Sequence, residues 1–182
     1  MTKGQNIQNW IKKLEECDLP QWNELPNLDL YMDQVITLME KYLSVYKKSV
    51  DKLITPSMIN NYVKLGVIPK PSKKRYSRIH LAYLIMVCSL KQVMPISEVQ
   101  KLVPLDLTEK EVETAFNTFR EMQKQVFSQV TNEVANSQQN LSEKENTTYA
   151  DFFQKAVQVA LTGNIYKILS ALIVDYAESL RD

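Results

Sequence analysis

The sequence predicts an all-α fold. A short helix, a tight turn and a basic loop lead into a long helix and then a C-terminal helical hairpin. Two observations carry that prediction. Only three glycines occur in 182 residues, which excludes a glycine-rich nucleotide loop and favours helix. Apolar residues recur every three or four positions along most of the chain, the period of a helix with one buried face, and prolines punctuate the runs rather than interrupt them.

Residues 5–17 form a short amphipathic helix in this reading, with Ile7, Trp10, Ile11 and Leu14 at helical spacing. Residues 18–28, DLPQWNELPNL, make a proline-punctuated link in which Trp22 packs on the domain. Residues 1–28 are therefore an N-terminal helix and linker. A second helix is expected from about Asp29, as its cap, to Lys48, with Tyr31, Val35, Leu38, Met39, Tyr42 and Tyr46 on one face.

The next helix is the best marked. Thr55 is a good N-cap, Pro56 fits the first helical position, and Gly66 tolerates the left-handed geometry that ends a helix. The spacing predicts a helix over Pro56–Leu65. Ser57, Asn60, Asn61 and Lys64 fall on one stripe of it. Asparagine can form a bidentate pair with the edge of adenine, although an ordinary solvated face accounts for the same pattern. Pro69 and Pro71 then keep the chain out of helix.

Lys70, Lys73, Lys74, Arg75 and Arg78 follow, with Tyr76 among them and no acid. From Lys47 to Arg78 there are nine Lys or Arg against one acid, inside a chain of net charge +1. A near-neutral protein thus carries one concentrated positive patch, the footprint of phosphate binding. A solvated basic turn is the alternative.

Ser77 is expected to cap a helix over Arg78–Val93 with Leu81, Leu84, Ile85 and Cys88 on its core face, and Ser97 to cap another that ends near Val103. Residues 29–104 form one domain on this basis. After a hinge at Pro104–Leu107, Thr108 and Glu111 have the spacing of a capping box for a long helix to about Asn136. Val112, Phe116, Phe119, Met122, Val126, Val130 and Val134 recur along it. Packing within the chain and contact with a second subunit both explain this stripe. Residues 136–148 are polar and expected to be mobile. The last segment, Tyr149–Leu180, is expected to form two helices meeting at Thr162-Gly163-Asn164, so that 105–182 is a helical dimerisation unit. Phe153, Tyr166 and Tyr176 either pack in the core or line a pocket for a small-molecule effector.

Several stretches match known patterns. INNYVKLGVIPKP (59–71), RYSRIHLAYLIMVCSLKQV (75–93) and ISEVQKLV (96–103) resemble the winged helix-turn-helix of MerR-type regulators. That resemblance implies double-stranded DNA as partner, with Tyr62 near the DNA backbone and Arg75 and Tyr76 in the wing. It also implies pairing of two subunits through the long helix. ELPNLDLYMDQV (24–35), TPSMINNYVK (55–64), KKRYSRIHLAYLI (73–85) and LKQVMPISEV (90–99) resemble, over about residues 20–105, the Firmicutes family catalogued as domain of unknown function 1836. This second resemblance implies the same MerR-like fold and brings no biochemical function. About fifty residues precede the module here, unlike most MerR-type regulators, and no cysteine follows Cys88 to ligate a sensed metal.

The expected function is sequence-specific regulation of transcription by a dimer. The alternative is a module that uses the same helix and basic patch to hold an acidic protein. No enzyme, metal site or cofactor is expected, given one histidine, no CxxC pair, no phosphate loop and no nucleophile motif. The longest uncharged apolar stretch, about Ile79–Leu90, is shorter than a bilayer span, and the N-terminus lacks a secretory hydrophobic core. A cytoplasmic protein with no membrane partner is therefore expected.

Overall fold

The computed structural model describes residues 12, 18–48, 52–142 and 148–180. Among the described residues there are six α-helices and no strand: α1 Met32–Tyr42, α2 Pro56–Lys64, α3 Arg78–Leu90, α4 Ile96–Leu102, α5 Glu109–Ser142 and α6 Tyr149–Ser179. Short 3-10 turns occupy Trp22–Glu24 and Ser44–Lys48. The helix expected over 5–17, and Cys17, lie outside the described residues apart from Lys12.

α3 is the centre of the fold. Every residue from His80 to Ser89 is buried, as a helix that is apolar all round must be. α1, α4 and α5 pack against it. Cys88 is fully buried there, and loss of solvation pushes its thiol pKa up to about 12. It is a small hydrophobic filler, as expected.

The stretch 18–28 is part of the core rather than a linker. Leu19, Trp22 and Leu25 are buried, and the Trp22 ring lies 6.3 Å from that of Phe116 on α5. Arg120 ties this strap down: its Nε donates to the Leu19 carbonyl at 2.7 Å, and its guanidinium pairs with Asp18. One core cluster therefore contains residues from all three stretches into which the sequence divides, from Leu19 to Val112 and Phe116.

Several boundaries move. α1 begins at Met32 because Leu30 exchanges backbone hydrogen bonds with Tyr76. Tyr31 rather than Asp29 is then the N-cap, and Gln34 Oε1 accepts its N–H at 2.9 Å. Tyr31 is exposed, and Val35 and Met39 are the buried face. α3 stops at Leu90, and Pro95 rather than Ser97 is the N-cap of α4. The capping box at α5 forms as expected: the Thr108 N–H donates to Glu111 Oε2 at 2.8 Å, and the Glu111 N–H returns to Thr108 Oγ1 at 3.4 Å. α5 runs on to Ser142, through part of the stretch expected to be mobile.

The C-terminal hairpin is not formed. α6 passes through Thr162, Gly163 and Asn164 as one helix. A lone interior glycine costs only about 1 kcal/mol, and no proline is present to stop the helix. This also removes the expected effector pocket. Phe153, Tyr166 and Tyr176 are 56%, 65% and 67% exposed, and in a straight helix the first lies ~20 Å from the second and the second ~15 Å from the third. α6 is also long and apolar enough, by length and composition, to cross a membrane. The sequence reading missed this because scattered single charges interrupt every uncharged run.

Candidate nucleic-acid interface

α2 starts and stops where its sequence dictates. Thr55 Oγ1 accepts the Met58 N–H at 3.2 Å. Gly66 takes φ +66°, which frees the Val67 N–H to close on the Tyr62 carbonyl at 2.8 Å. Gln100 on α4 donates to the Leu65 carbonyl at 3.0 Å, so the C-terminus of α2 is held from a second element. Ile59 and Tyr62 are buried, whereas Ser57, Asn60, Asn61 and Lys64 are all exposed. The predicted stripe is therefore a real, solvent-facing one.

Tyr62 belongs to the other face. It is 5% exposed, and burial raises its hydroxyl pKa. Lys91 Nζ sits 5.6 Å from its ring centroid. It anchors α2 and is not presented to a ligand with Ser57, Asn60, Asn61 and Lys64.

The basic loop is a tight hairpin. Arg75 N–H donates to the Ser72 carbonyl at 2.8 Å, and the two residues between, Lys73 and Lys74, have φ +48° and +62°. Positive φ at both central positions is the geometry of a type I′ turn, where Asn and Gly are the usual occupants. A side chain with a Cβ is strained there by roughly 1–2 kcal/mol. Lys70, Lys73, Lys74 and Arg75 are all exposed. Strain of this kind concentrates at functional sites.

The flank of the hairpin is clamped by the strap. Leu30 and Tyr76 exchange backbone N–H···O bonds of 2.9 Å in both directions. Arg75 lies 4.8 Å over the Tyr31 ring and donates to its hydroxyl at 2.8 Å. Arg78 is half-buried: its Nε donates to the Leu25 carbonyl at 3.1 Å, and its guanidinium lies 5.6 Å from the Trp22 ring centroid. Tyr76 is 3% exposed and meets His80 edge-on at 5.6 Å. Tyr76 and Arg78 thus hold the hairpin from inside, a correction to their expected place among the contact residues. The sequence places Trp22 against the domain, as the structure does, but not the strap's clamp on the hairpin or the contact of Tyr31 with Arg75; the signal was Trp22, Leu25 and Leu30 within a run too short to show a period.

His80 sits behind the hairpin. Its Nδ1 accepts the Ser77 N–H at 3.0 Å and lies 2.9 Å from Ser77 Oγ, closing the start of α3. Burial lowers its pKa, against smaller opposing pulls from the Lys70 backbone and the Asp29 carboxylate.

The family described as Domain of unknown function (DUF1836) matches residues 20–122. The chain belongs to this family. No curated protein and no solved structure matches the chain. The DUF1836 match opens in the strap, takes in α1 to α4 and every residue of the helix and hairpin, and ends at Met122. At that point the apolar stripe of α5 has passed from buried, at Phe116, to exposed.

Proposed function

We propose that the chain is a sequence-specific DNA-binding transcription regulator of MerR-like winged helix-turn-helix type, acting as a dimer in the cytoplasm. The observation that carries this reading is the turn at Lys73–Lys74. Two lysines occupy backbone positions that Asn and Gly would fill with less strain. A turn with only a structural role gains nothing from them, whereas a turn that meets phosphate gains two charges at its tip.

In this reading the exposed face of α2 enters the major groove. Asn60 and Asn61 have the side chain that pairs with the adenine N6/N7 edge. Ser57 and Lys64 flank them on the same face. Lys70, Lys73, Lys74 and Arg75 neutralise phosphates beside the groove. Tyr62, Tyr76 and Arg78 act from within the core as supports for the helix and the wing.

The experiment is fluorescence anisotropy of a random-sequence duplex at two salt concentrations. Steeply salt-dependent binding is the expected result, to be followed by selection of a preferred site from a pool. No binding even at low salt would refute the reading and turn attention to an acidic protein on the same patch.

A further inference from the structure

The body of the protein leaves α6 facing the wrong way for a free helix. Its C-terminal half docks on α4 through its less apolar side. Val174 is buried there, and Lys101 pairs with Glu178 at 2.8 Å and with Asp175 at 3.4 Å. The apolar stripe of that half, Ile165, Leu169, Leu172 and Tyr176, points outward and is 44–67% exposed. Its four residues follow a 4-3-4 spacing, the seam of a helix pair.

The first half is built the other way round. With 3.6 residues per turn, Asp151, Lys155, Gln158 and Thr162 form its polar side. The polar positions of the second half, Asn164, Lys167, Asp175 and Glu178, lie roughly 180° round the same straight helix. The apolar face therefore changes sides at Gly163. Each half is amphipathic, and the two halves need cover on opposite faces.

That pattern argues against a bilayer as the occupant. A span must be apolar all round, and a polar stripe on either half would meet lipid. The docked end is also pinned to the body by the Lys101 ion pairs. What it fits is a second copy of this chain. On the two apolar stripes of α6, Tyr149, Phe153, Val157, Ile165, Leu169, Leu172 and Tyr176 are 40–84% exposed; at roughly 100 Å² each they offer on the order of 700 Å² per copy, close to the about 800 Å² per partner of a standard-size interface. The chain also carries a second uncovered stripe, Met122, Val126 and Val130 on α5, 41–54% exposed.

We infer that α6 is a two-faced dimerisation helix. Its outward C-terminal stripe pairs with the same stripe of a second copy. Its N-terminal stripe on the opposite side, Tyr149, Phe153 and Val157, is covered by the partner's exposed α5 stripe. This deepens the dimer part of the proposed function and is independent of the DNA part, because it is tested without DNA.

The experiment is the solution mass of the full chain by light scattering, for the wild type, Leu169→Glu/Leu172→Glu and Phe153→Glu/Val157→Glu. The wild type should have twice the chain mass of 21.1 kDa. Each double variant should weaken the dimer by roughly 100-fold or more, since buried anchors of an interface dominate its affinity. Both should keep the wild-type unfolding of the core, reported by Trp22 against Phe116, because the substituted residues are exposed in the single chain. A monomeric wild type would overturn the inference. So would a dimer that tolerates both variants, or wild-type chain that floats with phospholipid vesicles while the Leu169→Glu/Leu172→Glu variant does not.

Discussion

Replacing Lys73 by Asn and Lys74 by Gly should make the protein more stable and a worse DNA binder at once. The two lysines hold φ +48° and +62°. Glycine at 74 relieves roughly 1–2 kcal/mol, asparagine at 73 keeps its Cβ and relieves only part of that, roughly 0.5–1 kcal/mol, and the flexibility of glycine in the unfolded chain takes back about 0.5–1 kcal/mol. The net gain is about 1–2 kcal/mol, which raises the melting temperature by roughly 2–8 °C for a chain of this size. The same change removes two phosphate contacts per module. The salt slope should fall by about 1.8, so the advantage of the wild type should shrink about twelvefold between about 50 and 200 mM salt. Lys73→Ala/Lys74→Ala is the companion variant: it removes the charges and keeps the strained geometry. It should lose DNA affinity equally without the gain in stability. Thermal unfolding and anisotropy on the three proteins read both effects. Equal melting temperatures for the Asn-Gly and Ala-Ala variants would refute the strain. Unchanged affinity and slope in both would refute the wing.

Four further outcomes follow from the same geometry. Asn60→Ala and Asn61→Ala, both exposed, should leave urea unfolding unchanged and reduce preference for a selected site over random duplex by roughly 1–3 kcal/mol per bidentate pair lost. Thr55→Ala should destabilise by about 1 kcal/mol in urea, through loss of the cap on the Met58 N–H. Phe116→Ala should destabilise by roughly 3–5 kcal/mol and shift Trp22 emission to the red, since the two rings pack in the core. His80 is buried with a lowered pKa, so the unfolded chain takes up its proton first. Its contribution is complete above the unfolded pKa of about 6.5 and is lost as pH falls below it, with a slope of at most about 1.4 kcal/mol per pH unit. His80→Gln should flatten that slope in urea titrations over the same window.

Much of the candidate site was legible because it rests on local chemistry. A cap, an N1 proline and a terminal glycine fix α2 without reference to the rest of the chain, and helical spacing alone puts Ser57, Asn60, Asn61 and Lys64 on one face. The capping box of α5 is equally local. The charge concentration needs no structure at all. By contrast, Tyr62, Tyr76 and Arg78 look like contact residues in a basic stretch, and only packing shows two of them buried and the third held by the Leu25 carbonyl.

The sequence by itself determined the helical class, the exposed face of α2 and the position of the basic hairpin, because each depends on residues within one or two turns of each other. Tertiary structure decided the rest. The strap at 18–31 became core because Phe116, Arg120 and Tyr76, distant in the chain, meet it there. The expected C-terminal hairpin became one helix because a single glycine does not stop a helix. Its outward apolar stripe follows from which side of α6 meets Lys101 on α4. Periodicity gives a helix its faces, but which face is covered depends on what the rest of the chain brings to it.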